Sequence, residues 1–173
     1  ELNISLQDIE IVINRLISQG FNIVSYIDDY SLINDDILNN KIISSKIDYK
    51  YSIEILDTVD STNSYIKSNM NNMNYNHIVI ANTQTGGRGR LQRKFYSFEN
   101  SGIYMSILVN PNCSIEKSLS LTCLTSVAVY SAIKELYDID INIKWVNDLI
   151  INNLKVGGIL CESIIESDSS TLT

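Results

Sequence analysis

The chain has 173 residues, 45% hydrophobic and 19% charged, so it can bury one sizeable core and is unlike a disordered segment. A net charge of −7 and a pI of about 4.6 exclude a protein that coats nucleic acid, which needs an excess of Lys and Arg. Any anion site must therefore be local.

Read from its start, ELNIS lacks a basic region followed by an apolar stretch, and no secretory signal is expected. Ser5 followed by Asp8 resembles a capping box, and Ile9, Val12, Ile13, Leu16 and Ile17 then fall on one face of a helix that Gly20 stops. Residues 21–27 and 30–33, joined across Asp28 and Asp29, read as a short β-hairpin, and helix followed by hairpin is the tail end of a winged helix-turn-helix. The pattern predicts a short helix over 34–41 and a connection over 42–48. This places a partial winged helix-turn-helix at 1–45 and the main domain at 46–173.

Residues 51–56 alternate as a strand, and 57–63 turn into a helix running to about Met70, which makes this polar turn a candidate site. Residues 77–82, opened by the single histidine His77, and residues 103–109 read as strands that anchor the intervening loop at both ends. Residues 116–137 form a long helix, apolar over most of its circumference and so expected between layers. Its most apolar stretch, 119–133, is too short to span a bilayer. Strands follow over 141–145, 149–152 and 155–162, the last two joined by a tight turn at Asn152 and Asn153. The three cysteines, Cys113, Cys123 and Cys161, are odd in number and mostly in apolar context, which fits free thiols in the cytosol.

The loop TQTGGRGRLQRKFYS, 83–97, gathers Arg88, Arg90, Arg93 and Lys94 with Gly86, Gly87 and Gly89. Clustered cations repel unless anions visit, and the glycines let backbone approach a ligand. A solvated basic loop or a nucleic-acid contact would give the same pattern. Lys155 opens an apolar strand beside Gly157 and Gly158, where a cation could bridge carboxylate and phosphate oxygens or simply guard a sheet edge. Asn147 and Asp148 could position magnesium or ribose hydroxyls, or form an ordinary turn. Ser61, Thr62 and Asn63 suit a neutral polar group such as a urea, or a helix cap, and Gln84 could face the same pocket. Together the segments fit adenylate chemistry. Joining an anionic carboxylate to an anionic α-phosphate requires positive charge and oriented donors, for which the planar fork of Arg is well suited.

The chain resembles the biotin protein ligases, whose bifunctional members also repress the biotin operon. Four motifs arrive in family order: DSTN at 60–63, GGRGR at 86–90, KWVND at 144–148 and KVGGIL at 155–160. The resemblance implies an α+β catalytic domain with a mixed sheet, related to class II aminoacyl-tRNA synthetases. It implies ATP with Mg2+, biotin as substrate, biotinyl-5′-AMP as intermediate, and transfer to a lysine of the biotin carboxyl carrier domain of acetyl-CoA carboxylase. Ser61, Thr62, Asn63, Gln84, Gly87, Arg88, Lys155 and Gly157 would contact biotin. Arg88, Arg90, Arg93, Phe95, Asn147, Asp148 and Lys155 would serve ATP or the adenylate, with Lys155, Arg88 and Arg90 catalytic and Asp148 a magnesium ligand.

Some positions depart from the pattern. Val146 stands where the family commonly has proline, Phe95 where many members have Trp, and Gln92 where a glycine is often found. Family elements are expected beyond both ends: the rest of the helix-turn-helix before Glu1, and a GxGxN strand and small barrel after Thr173. Two other readings stand beside the ligase: a lipoate or octanoate ligase or transferase of the same fold, and a DNA-binding repressor. The presumed recognition helix carries Asp8 and Glu10 against Arg15, which disfavours DNA. A homodimer through sheet edges fits the resemblance, membrane association does not, and the location expected is cytoplasmic.

Overall fold

The computed structural model describes residues 5–18, 21–27, 29–33, 38–47, 50–99, 101–111, 115–166 and 169–172. The chain divides into two compact units, Glu1–Ile55 and Leu56–Thr173.

In the first unit, helix α1 spans Leu6–Ser18. Ser5 Oγ accepts from the Asp8 amide at 3.2 Å and donates to the Asp8 carboxylate at 2.6 Å, so the capping box expected there forms. At the other end Phe21 N–H donates to Leu16 O, closing the last turn, while Gly20 lies outside the described residues. Strands β1 (Ile23–Ser25) and β2 (Tyr30–Leu32) pair antiparallel as the expected hairpin, of whose turn Asp28 lies outside the described residues. Helix α2 runs over Asn40–Ser44, later than the 34–41 expected, of which 34–37 lie outside the described residues. The reason is local: Asn39 Oδ1 accepts from the amides of Lys41 and Ile42, which starts the helix at that cap. It thereby takes up part of the expected connection.

Strand β3 (Ser52–Val59) crosses the division between the units, and β3, β4 (His77–Gln84) and β5 (Tyr104–Leu108) form a three-stranded sheet in that order. Helix α3 (Thr62–Asn69) packs on β4 and β5 and drives Ile66 into the core with Val79 and Leu108, all three essentially without exposure. Leu56, Tyr65, Met70 and Met73 close around them. A second sheet is an antiparallel meander of β6 (Asn142–Lys144), β7 (Asp148–Ile151) and β8 (Leu154–Gly158). Asn152 and Asn153 both take positive φ, 50° and 63°, which is the turn predicted between β7 and β8. Strands β9 (Ser163–Glu166) and β10 (Ser169–Leu172) form a further antiparallel pair. The architecture is α+β.

Helix α4 (Ile115–Tyr137) corrects one expectation. It packs on β6 and β7, where Ser126 is fully buried and donates to Thr122 O and Val146 O. Leu124, Val127 and Leu136 are exposed, because the described residues supply a layer on one side of the helix and not on the other.

Substituting Ile66→Ala would remove the residue on which α3 is seated, and a loss of roughly 2–5 kcal/mol in unfolding free energy is expected by urea denaturation.

Candidate functional site

The first turn of α3 carries DSTN. Asp60 Oδ1 takes the Ser61 amide at 2.6 Å, and Ser61 is the N-cap of α3, so the cap reading of this turn holds. Beyond the cap, Gln84 at the end of β4 accepts from the Thr62 amide at 2.9 Å and donates to Ser97 Oγ at 3.0 Å. Thr62 Oγ1 lies 2.7 Å from Ser106 Oγ of β5, and Ser106 donates to Asn63 Oδ1. Asn63 Nδ2 reaches Glu162 Oε2 at 3.0 Å and Leu160 O at 3.3 Å. Three of the expected residues thus share one polar seam, Thr62, Asn63 and Gln84, while Ser61 caps the helix next to it and Gly87 borders it.

Gly87 shows why the loop needs a glycine. A Cβ there would lie 2.7 Å from Phe95 O, 2.7 Å from Ser97 Oγ and 3.2 Å from Gln84 Nε2. Gly87 O accepts from Phe95 N–H, Gly89 N–H donates to Arg93 O, and Arg88 pairs with Lys94, so the loop is a closed irregular hairpin. Arg88 projects back to donate to Ser64 Oγ on α3. Arg90, Arg93 and Lys94 are exposed, and Lys94 Nζ lies over the Tyr96 ring at 5.0 Å. At the loop's crest Leu91 and Gln92 have φ of 56° and 59°, so the glutamine occupies backbone that favours glycine.

Lys155 reaches its position through a β-bulge. Along β7 and β8, Ile150 faces Lys155 whereas Leu149 faces Gly157, which leaves Val156 as the extra residue. Lys155 consequently shares a face with Asp148 and Gly158, and its Nζ lies 2.7 Å from Asp148 Oδ1. The Phe95 ring is 6.0 Å from the same Nζ. Gly157 is on the opposite face, where a Cβ would meet Leu149 Cδ1 at 3.2 Å, while Gly158 leaves space for the lysine. Asn147 pins the following segment, donating from Nδ2 to Ile159 O at 3.0 Å and accepting from Ile159 N–H at 2.9 Å. Gln84 bonds Ser97, Gly87 lies close beside both and bonds Phe95, and the Phe95 ring lies 6.0 Å from the ammonium that Asp148 holds. Arg90 instead lines a neighbouring cleft of about 530 Å³ with Cys123, Trp145, Ile159, Leu160 and Cys161.

Sequence reasoning passed over Ser97, Ser106, Lys67 and Glu162. Lys67 Nζ meets Glu162 Oε1 at 2.6 Å. Burial pushes the Glu162 carboxyl up, but hydrogen bonds from Lys67 and Asn63 and the charges of Lys67 and Arg88 outweigh it, and its pKa falls below the ordinary 4.5. An acid following KVGGIL was the only hint, and no local pattern distinguishes it from a surface carboxylate. Asp148 offers one carboxylate, already bonded to an ammonium, and no cluster of three His, Cys, Asp or Glu side chains exists among the described residues. No helix among them is long and apolar enough to cross a membrane.

A family model described as the biotin/lipoate A/B protein ligase family matches residues 55–173. Over 98 residues the chain is 42% identical to the bifunctional ligase/repressor BirA of Bacillus subtilis, a stretch covering 57% of this chain and 30% of that protein. A biotin protein ligase from Aquifex aeolicus, solved in complex with biotin and ATP, is similar with a TM-score of 0.59 at 34% identity, covering 70% of this chain and 50% of that one. One from Leishmania major in complex with biotinyl-5-AMP gives 0.57 at 25% identity, covering 70% and 55%. The chain therefore spans less than a third of the Bacillus protein and about half of each structure.

Two outcomes are expected from this geometry. Gly87→Ala should destabilise the protein by about 1–3 kcal/mol, whereas Gln92→Gly should stabilise it by about 1 kcal/mol, both measured by denaturant unfolding. The Glu162 contribution is present while the carboxyl is ionised and is lost as pH falls through its lowered pKa. From about pH 5 to pH 3, unfolding free energy should therefore fall more steeply in the wild type than in Lys67→Met, compared by urea titration at each pH.

Proposed function

Because the chain belongs to the biotin/lipoate A/B protein ligase family, we propose that it is the biotin-activating part of a biotin protein ligase. The observation that carries this is the succession of the polar seam at Thr62 and Gln84, Gly87 beside it, Phe95 bonded to Gly87, and Lys155 with its ammonium 6.0 Å from the Phe95 ring. It puts a neutral hydrogen-bonding wall at one end and a cation at the other, as a ligand with a urea head and a carboxylate tail requires. The similar solved proteins named as biotin protein ligases, with biotin or biotinyl-5-AMP bound, support this substrate over lipoate.

In this reading biotin is held at its head by Ser61, Thr62, Asn63 and Gln84 and covered by Gly87 and Arg88. A carboxylate oxygen of biotin attacks the α-phosphorus of ATP, the bond to the β-phosphate bridging oxygen breaks, and pyrophosphate leaves. Lys155, with Arg88 and Arg90, neutralises charge gathered on the transferring phosphoryl group. An ammonium has three donors and Asp148 takes one, so two are left for the biotin carboxylate and α-phosphate. Asp148 aims the lysine, Phe95 packs against adenine beside it, and Arg93 and Asn147 serve the nucleotide. Mg2+ would enter as the counter-ion of the ATP phosphates, as part of the substrate.

The lysine amine of a biotin carboxyl carrier domain, having lost a proton, then attacks the acyl carbon of biotinyl-5′-AMP. The bond to the phosphate oxygen breaks and AMP is released. Residues 1–45 read as a partial winged helix-turn-helix. With Asp8 and Glu10 against Arg15 on α1, its charge does not support tight operator binding.

Lys155→Ala and Arg88→Ala are each expected to slow biotin-dependent pyrophosphate exchange by about 100-fold or more. Unchanged exchange in either variant would contradict the assignment. Titration calorimetry with biotin and lipoate is expected to show heat for biotin alone.

A further inference from the structure

We infer that Ser97 is a further specificity-determining residue of the pocket, donating its hydroxyl proton to the carbonyl oxygen of the ureido head. This rests on the biotin reading of the site and deepens it.

The bonds at Gln84 leave that proton free. A backbone N–H only donates, so the Thr62 amide at 2.9 Å holds the oxygen of the Gln84 carboxamide toward α3 and leaves its nitrogen toward the loop. An amide nitrogen only donates in its turn, and Ser97 Oγ is therefore the acceptor of their 3.0 Å bond. This bond takes a lone pair of Ser97 and not its proton. Among the described residues the Ser97 side chain makes no second hydrogen bond.

The surroundings show to which side the proton is offered. Tyr96 and Phe98 are 66% and 68% exposed and stack on the outside of the loop, whereas Ser97 between them is 9% exposed. Its hydroxyl stands on the inner side, against Gly87, where a Cβ would come within 2.7 Å of it. A buried O–H without an acceptor is a standing cost, which an oxygen placed beside it removes. The hydroxyl is also primed, because accepting from Gln84 polarises it and makes it a stronger donor. Of the groups that biotin brings to this end of the site, the carbonyl oxygen is the strong acceptor, since the two ring N–H groups donate and the thioether sulfur accepts weakly. A dithiolane brings sulfurs and no oxygen.

The test sets biotin beside 2-iminobiotin, which at neutral pH carries a protonated C=NH2+ in place of the carbonyl and so offers donors where biotin offers an acceptor. In adenylate formation by the intact gene product, Ser97→Ala is expected to raise KM for biotin about tenfold, with kcat and KM for ATP little changed. The inhibition constant of 2-iminobiotin should stay near its wild-type value, because that cation has no lone pair for Ser97 to meet. Preference for biotin over the analogue therefore falls by about the same factor. Ser97→Cys keeps the size of the side chain but donates weakly, and its preference should lie between those of the wild type and S97A.

A wild-type biotin KM in S97A overturns the assignment. So does an equal loss of both ligands, which is the sign of a residue that merely props Gln84. Should S97A be too unstable to assay, S97C decides: a smaller preference for biotin supports the donor, and an unchanged one overturns it. Wild-type protein that forms no biotinyl-5′-AMP overturns the reading of the site itself, whereas an active wild type with an insensitive S97A overturns the role of Ser97 only.

Discussion

Asn63 is where the parts of the larger unit are tied together. Its one amide bonds to Ser106 on β5 and to Leu160 and Glu162 just past β8, so the first turn of α3 is held against both three-stranded sheets. Apolar packing seats the helix from behind, through Ile66, Val79 and Leu108. Packing alone would leave the helix free to slide along the sheet. The amide adds direction, since each of its atoms accepts only one kind of partner. A helix so placed brings Thr62 to Gln84, and Gln84 in turn brings Ser97 and the glycine loop into register.

The same logic governs charge. In a chain with a net charge of −7, cations are scarce, and those nearest the seam are held by defined partners. Lys67 has Glu162, Lys155 has Asp148, and Arg88 has Ser64. Two of these three partners are carboxylates, so an arriving anion meets cations that are already aimed and partly neutralised. Such an arrangement trades raw attraction for orientation, which favours a ligand whose oxygens fit the remaining donors over anions in general.

Much of this order is legible along the chain and some of it is not. The capping box at Ser5 and Asp8, the hairpin of β1 and β2 and the Asn152–Asn153 turn rest on short-range chemistry, and each forms as its residues dictate. The polar turn at 60–63 and the glycines of the loop stand out because small or hydrogen-bonding residues interrupt apolar strands. Ser106 and Glu162 were silent, since their partners lie 43 and 99 positions away from them. Helix α4 was misleading in the other direction. Apolar residues around most of its circumference promised a place between layers, yet Leu124, Val127 and Leu136 are exposed in the described structure. Periodicity reports which faces are greasy and does not say what covers them.

The bulge in β8 carries a lesson about how this chain can evolve. Strand side chains alternate between faces, so the extra Val156 is what lets Lys155 and Gly158 share one side. Were the strand of this same length to pair regularly, Val156 would face Ile150 and Lys155 would turn to the side of Leu149, away from Asp148. Loss of Val156 would instead leave Lys155 opposite Ile150, on the side it now occupies. The lysine's side is therefore set by where the strand is irregular, and a neighbouring substitution that moved the bulge would displace the ammonium without changing its residue.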